Sequence, residues 1–397
     1  MPCDTVRSVV IAGAGLAGAR CAETLRAEGF EGRVVVIGEE ADPPYQRPAL
    51  SKELLAGAAE PEDLHLRPAG FWAQAGIELV LGTRVCRIDL GDRRVVSDDG
   101  KSYGWDVLVL ATGACPRTLP GLPKLQGVHH LRTLGQALAL RRELEPGSSL
   151  AVIGAGFIGA EVASTARGRG VDVTLVEVAD VPLERVLGRQ VGLLLAERYR
   201  SHGVRVILGT GVGGLRGDSA CRVRAVVLAD GQEVPCDAAL IGIGVNPALA
   251  ALSENLDVTP DGGIATDACG RTSVPSVYAC GDVASSWRPS LGASLRVEHW
   301  TSAAGQGAAV ARTILGCERP RDDVPYFWSD QFGLRLQYVG HASAWDSVEI
   351  EGAPDCFAAR YFDSRRRLLA VLLANRPHEV GAFRRELGRD GGVRAAA

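Results

Sequence analysis

Short apolar runs alternate along the chain with amphipathic stretches, a pattern that predicts buried parallel strands joined by helices. Val9 to Ala12, Arg33 to Ile37, Val107 to Leu110, Leu150 to Ile153, Val171 to Val176, Ala238 to Ile241 and Val277 to Ala279 read as strands buried on both faces. Helices are expected over Ala19 to Glu28, closed by Gly29, over Ala160 to Gly168, and over the small-residue stretch Ala303 to Leu315. Shorter strands fit Leu79 to Leu81, Thr83 to Ile88, Arg94 to Val96, Val204 to Leu208 and Cys221 to Leu228. Past Asp322 the pattern changes to alternation through Leu334 to Val339. Strands then follow at Phe357 to Phe362 and Leu368 to Leu373, joined by the charged turn Asp363 to Arg367, with a helix near Gly381. The fold class is therefore α/β, with a small α+β domain at the C-terminal end.

Two of the strands run into the same glycine pattern. Gly13-Ala14-Gly15-Leu16-Ala17-Gly18 follows the first, and Gly154-Ala155-Gly156-Phe157-Ile158-Gly159 follows a later one. In G-x-G-x-x-G the first glycine permits the turn, the second lets backbone approach a pyrophosphate, and the third lets helix pack closely on strand. The phosphates meet a positive helix N-terminus. One such motif is weak evidence; two predict two Rossmann-like domains, each holding a dinucleotide, and hence a flavin enzyme fed by a nicotinamide. An acid at the end of each second strand suits a ribose. Glu39 is the candidate in the first unit, with Glu40 as its rival; Glu177, eighteen positions beyond Gly159, is the candidate in the second. Val178-Ala179 offers no cation for a 2′-phosphate, so NADH is favoured over NADPH, although Arg185 and Arg189 lie close in sequence.

Other residues join these on weaker grounds. The loop Pro43 to Lys52 is stiffened by prolines before Ser51, a possible helix cap. A cation such as Lys52 beside a flavin would stabilise negative charge arriving with hydride, though a solvated surface lysine is the plainer reading of the residue alone. The strand ends Ala111-Thr112-Gly113 and Gly242 are small, as a close approach to a cofactor requires. Gly281-Asp282 fits an acceptor for a ribitol hydroxyl, or a cap of a following helix. Trp300 either covers a ring or belongs to the core. Glu161, taken as first-turn, is by default a partner of its helix dipole. The prolines 116, 120 and 123 mark a linker. The expected division is 1–115 with 248–321 for the flavin, 116–247 for the nicotinamide and 322–397 for the last domain.

Composition narrows the class. The 397 residues exceed a single core, and a formal net charge of -4 gives no electrostatic basis for nucleic-acid or anionic-membrane binding. Met1 to Arg7 is short and polar, without a leader-like apolar run, so a cytoplasmic location is expected. The ten cysteines show no C-x-x-C and no zinc spacing, and read as reduced, buried thiols. Metal binding is not expected.

These motifs, in this order, resemble the NADH-dependent ferredoxin reductases, the group of putidaredoxin reductase and the dioxygenase reductases. The resemblance spans nearly the whole chain. It is carried by Arg47 to Lys52, Ala111-Thr112-Gly113, the second fingerprint through Glu161, Gly281-Asp282, Val297-Glu298-His299-Trp300 and Phe327-Trp328-Ser329-Asp330-Gln331. Ala49 departs from it, standing where a second proline is usual. The resemblance implies that Gly13, Gly15, Leu16, Ala17 and Gly18 hold FAD phosphates and Glu39 its ribose. Lys52 and Asp282 would lie at the flavin end, Arg47 within the flavin loop, and Val85, Arg132 and Trp300 would touch FAD. Glu161 would lie near the nicotinamide and pair with Lys52. Hydride would pass from NADH to flavin N5, and single electrons then to a two-iron, two-sulfur ferredoxin serving a haem monooxygenase or ring-hydroxylating oxygenase. The last domain would help form the ferredoxin surface, where Arg67, Arg296 and Arg312 are candidate contacts. Rubredoxin reduction, disulfide reduction and a non-catalytic nicotinamide sensor are the rivals. The interval between Cys21 and Cys86, which holds no cysteine, argues against the second of these.

Overall fold

A computed structural model describes residues 6–249 and 256–389. A five-stranded parallel sheet is ordered Val277–Ala279, Val107–Leu110, Ser8–Ala12, Arg33–Ile37, Ile77–Val80. A second parallel sheet repeats the plan as Val128–His129, Ala238–Ile241, Ser149–Ile153, Asp172–Val176, Arg205–Ile207. In both, the strand feeding the glycine turn is central and fully buried beyond its first residue. Continuous valine and isoleucine runs form such strands because helices or small sheets cover both faces. A small antiparallel sheet packs on each: Val85–Asp89, Arg94–Ser97, Ser102–Gly104 on the first, and Val212–Gly217, Val223–Leu228, Glu233–Pro235 on the second.

The chain crosses between the two bodies on paired strands. Ala114–Pro116 leads out and Val245–Pro247 leads back, antiparallel and hydrogen-bonded to each other. Thr112 Oγ1 donates to Ala248 O at 2.8 Å beside this crossing. Strand Val277–Ala279 then adds to the edge of the first sheet, although it follows the whole second body in sequence.

The helix after the first glycine turn, Leu16–Ala27, presents small residues to helix Trp300–Ile314, whose Ala303, Gly307, Val310, Ala311 and Ile314 share one face at helical spacing. At Gly307 the helices nearly touch: a Cβ there would lie 2.1 Å from Ala17 O. Gln306, on the same face, accepts from Gly281 N at 2.9 Å and so pins the turn that carries Asp282.

The C-terminal sheet is antiparallel, ordered Tyr326–Gln331, Leu334–Gly340, Leu368–Ala374, Cys356–Phe362, Ser347–Ala353. One face receives Phe383 and Leu387 of helix Val380–Arg389. The other packs Leu336, Tyr338, Phe357 and Tyr361 into the same core as Leu187, Val191, Leu195 and Tyr199 of helix Glu184–Ser201. That helix was not read from the sequence, because Gly188 (φ 76°, ψ 168°) breaks it near its start. Tyr361 Oη donates to the carbonyl of Leu187 at 3.0 Å, satisfying a group at the break, and Trp345 packs on Gly188.

Three local expectations differ from the structure. Both fingerprint helices begin right after the second glycine, at Leu16 and Phe157, and the helix expected from Ala303 begins at Trp300, so Glu161 lies past the first turn. Cys86, Cys115, Cys221, Cys317 and Cys356 are exposed rather than buried, and all nine described cysteines are free. Ser51 caps no helix. No helix among the described residues is long and apolar enough to cross a membrane.

A methyl group at Gly307 meets a backbone carbonyl that no rotamer change can move aside. Gly307→Ala is therefore expected to lower stability by about 1–3 kcal/mol, read as a lower urea midpoint at unchanged m-value.

Candidate active site

Each glycine turn is sterically determined. Gly13 has φ 123°, and a Cβ on it would lie 2.0 Å from Ala111 O; Gly154 has φ 101°, and its Cβ would lie 2.5 Å from Gly242 O. The third glycines are equally closed, since a Cβ on Gly18 or Gly159 would lie 2.0 Å from the carbonyl of Gly13 or Gly154. The middle glycines are the opposite. Gly15 has nothing within 4 Å of its Cβ position, and Gly156 only Gly242 O at 4.0 Å. Both are extended N-caps without a side-chain cap, so no capping side chain takes up the first amides of either helix. Closed at its first and third glycines and open at the second, each turn fits a pyrophosphate. The strand ends Ala111-Thr112-Gly113 and Gly242 form the opposite lip of each cradle.

The structure separates Glu39 from its rival. Glu40 is consumed: it accepts from Tyr45 Oη at 2.5 Å and Arg47 Nη2 at 2.6 Å. Arg47 also donates to Arg132 O at 2.6 Å. Burial works against the charge of Arg47, but Tyr45 and Glu40 outweigh it and hold the guanidinium above its usual value. Arg47 thus locks the loop Pro43 to Lys52 onto residues 132–134. Glu39 stands at the strand end with its side chain 62% exposed, approached by Arg84 Nε at 2.9 Å. Val85 begins the neighbouring strand and packs on the same core. In the second unit Glu177 folds over its own turn, accepting from Ala155 N at 2.6 Å and Ala179 N at 3.0 Å. Arg189 turns to Asp180 instead, at 3.1 Å.

Three distant segments meet at Glu161, which is 4% exposed. Its Oε2 accepts from Lys52 Nζ at 2.6 Å and from Ser51 Oγ at 2.5 Å; its Oε1 accepts from Ser329 Oγ at 2.7 Å. A charge so enclosed persists only when paired and hydrogen-bonded, and this one is both. Nearby, Arg132 Nη2 donates to Asp282 at 2.7 Å; a strand, not a helix, follows Asp282, which removes the capping alternative. Phe157 packs edge-on against Phe327 (ring centroids 4.8 Å apart), and Phe327 packs on His299 at 4.5 Å. Ile158 and Trp300 are partly exposed, and Trp300 meets Trp328 edge-on. Arg67 and Arg312 pair with Glu23 and Glu28; Arg296 pairs with Glu298 and is largely buried, which makes it a poor partner contact. Sequence reasoning assigned no role to Ser329, Gln331, Tyr45 or Arg84. A hydroxyl or amide inside a strand leaves no periodic signal.

Residues 7–307 match the model of the pyridine nucleotide-disulphide oxidoreductases, and residues 326–397 match that of the reductase C-terminal domain. The chain belongs to the pyridine nucleotide-disulphide oxidoreductase family. A ferredoxin–NAD(P)+ reductase of a Sphingomonas species is 41% identical over 355 residues, 88% of this chain and 85% of that one. The ferredoxin–NAD+ reductase component of the p-cumate 2,3-dioxygenase system of Pseudomonas putida is 37% identical over 387 residues, 96% and 93%. The reductase in the covalent putidaredoxin reductase–putidaredoxin complex superposes with a TM-score of 0.92 at 36% identity, covering 97% of this chain and 93% of that chain.

Disulphide chemistry in such a family needs a reactive thiolate. Here Cys21 and Cys280 are fully buried, and burial raises both thiols, Cys280 to about 12. Neither is poised as a nucleophile.

Burial pushes the His299 imidazole down from 6.5 to about 4, with His341 adding to the effect and Asp282 opposing it. His341 is lowered by burial in the same sense. Below pH 6.5 the unfolded chain binds a proton that folded His299 refuses, so stability falls as the pH drops from 6.5 toward 4. Urea midpoints taken at pH 7 and pH 5 should show this fall, and His299→Gln should make it smaller; an undiminished fall would remove His299 as a cause.

Proposed function

We propose that this chain is an FAD-dependent NADH:ferredoxin oxidoreductase, delivering electrons to an iron-sulfur ferredoxin of an oxygenase system. The observation that carries the reading is the pair of near-identical glycine cradles, each with a carboxylate at its second strand end, joined through one buried Lys52–Glu161 contact. The relatives named above are ferredoxin reductases by name, with NAD+ or NAD(P)+, and their likeness covers 88% and 96% of this chain.

In this reading Gly13, Gly15, Leu16, Ala17 and Gly18 hold the FAD pyrophosphate through backbone amides, and Glu39 takes its ribose hydroxyls. Val85 touches FAD. Arg47, Ala111, Thr112, Gly113, Arg132, Gly281 and Asp282 shape the flavin end, and Trp300 covers it. Gly154, Gly156, Phe157, Ile158, Gly159 and Gly242 cradle NADH, with Glu177 on the ribose. Residues 1–115 and 248–321 form the FAD domain, 116–247 the NADH domain and 322–397 the domain that helps meet the ferredoxin, in the cytoplasm.

When bound, the flavin accepts two electrons together and releases them one at a time. The protein supplies alignment and electrostatics. Lys52 holds a positive charge where negative charge develops, at no cost of reorganisation, because Glu161 and Pro48 O already fix its ammonium. Glu161 orients Lys52 and neutralises it in the resting state. In this reading Lys52 tunes charge and is not a nucleophile.

Rapid mixing of the yellow oxidised protein with NADH should bleach the flavin band, and an added two-iron ferredoxin should restore it through fast turnover. A colourless protein that takes up no FAD would overturn the proposal. Glu177→Ala removes a charged acceptor and should raise the NADH dissociation constant about 10- to 100-fold, with a smaller effect on NADPH. Equal losses would count against the ribose contact.

A further inference from the structure

We infer that Tyr199, Gln331 and Ser329 form a one-directional hydrogen-bond relay that fixes the Glu161 carboxylate and thereby positions Lys52 toward the flavin; the inference rests on the role of Lys52 proposed above. Ser329 Oγ donates to Glu161 Oε1 at 2.7 Å. Gln331 Nε2 donates to Ser329 Oγ at 3.1 Å. Tyr199 Oη donates to Gln331 Oε1. Tyr199 and Ser329 are completely buried, and Gln331 nearly so.

The direction of every bond follows from the two ends. A carboxylate only accepts, so Ser329 must spend its single proton on Glu161, and its oxygen then accepts from an N–H. A protonated phenol must donate, and among the described residues Gln331 is the one polar partner of Tyr199. Burial raises the Tyr199 phenol, so that proton stays in place. A Gln331 amide turned the other way would present N–H to the phenol and strand the phenolic proton without an acceptor, which a buried site tolerates poorly. One assignment satisfies all three groups, and it delivers a donor to Glu161.

The far end of the relay acts on Lys52 through geometry. An ammonium has three donors; Glu161 Oε2 takes one at 2.6 Å and Pro48 O another at 3.1 Å. With Oε1 held by Ser329, the carboxylate cannot swing, and the remaining Lys52 donor keeps a fixed aim. Without the Tyr199 hydroxyl the Gln331 amide is free to turn, offer Oε1 to Ser329 and draw the serine proton away from Glu161. Tyr199 sits in the last turn of helix Glu184–Ser201 and Ser329 and Gln331 on the first C-terminal strand, so the nicotinamide body and the last domain jointly set a charge in the flavin site. These three are positioning residues, since none touches the reacting atoms.

The test is the two-electron midpoint potential of the FAD-loaded protein, measured by spectroelectrochemistry. Tyr199→Phe and Ser329→Ala should each lower it by about 30 mV, a tenfold loss in stabilisation of the reduced form, whereas Ser329→Thr, which keeps the hydroxyl, should leave it unchanged. Lys52→Met should lower it at least as far, and adding Tyr199→Phe to Lys52→Met should lower it no further. An unshifted potential in Tyr199→Phe and Ser329→Ala, or an equal shift with and without Lys52, overturns the relay while leaving the role of Lys52 intact. A Lys52→Met protein with bound FAD and unshifted potential overturns that role, and the relay with it. If Tyr199→Phe fails to bind FAD, the Ser329→Ala and Ser329→Thr pair decides.

Discussion

A carboxylate almost out of reach of water sits where three parts of this chain come together, and its demand for hydrogen-bond donors governs how they are placed. Glu161 belongs to the helix after the second glycine turn. Its donors, Ser51, Lys52 and Ser329, come from the loop Pro43 to Lys52 and from the first C-terminal strand. A buried ion pair is weak evidence of net stability, because desolvation offsets most of the attraction. Its value is in geometry: leaving any donor out would strand charge in a dry place. Neutral bonds reinforce the seam, with Thr165 Oγ1 donating to Ser51 O at 2.7 Å and Phe332 N donating to Ser164 Oγ at 2.7 Å.

The two glycine cradles show how much of a turn's shape backbone sterics alone can define. In both, two glycines lie against carbonyl oxygens that cannot yield, and one faces empty space. The cradles then diverge through their acids. Glu39 extends outward beside Arg84, whereas Glu177 is drawn back over its own turn by two amides. One plan of strand, turn and helix thus carries two carboxylates presented differently.

The C-terminal sheet does more than cover a face. It shares a core with helix Glu184–Ser201, meets the break at Gly188 with Trp345 and Tyr361, and brings Ser329 to Glu161. The glycine is needed at that break because a Cβ there would lie 2.8 Å from the Trp345 ring.

What the sequence determined by itself was local. The glycine turns, the buried strands between them and the acid closing each second strand were legible because each constraint acts between residues close along the chain, where strand and helix periodicity and the needs of a tight turn leave a pattern. The choice between Glu39 and Glu40 was not, since it hangs on Arg47 and Tyr45 folding back and on the amide of Leu134 across the domain seam. From its own helix Glu161 looked like a dipole partner, and its pairing with Lys52, 109 positions away, came only from the family resemblance, while Ser329, 168 positions away, gave no signal at all. Only tertiary structure could decide such contacts, because a buried polar group is satisfied by whatever donor packing brings within reach, and the spacing of residues along a chain carries no record of that.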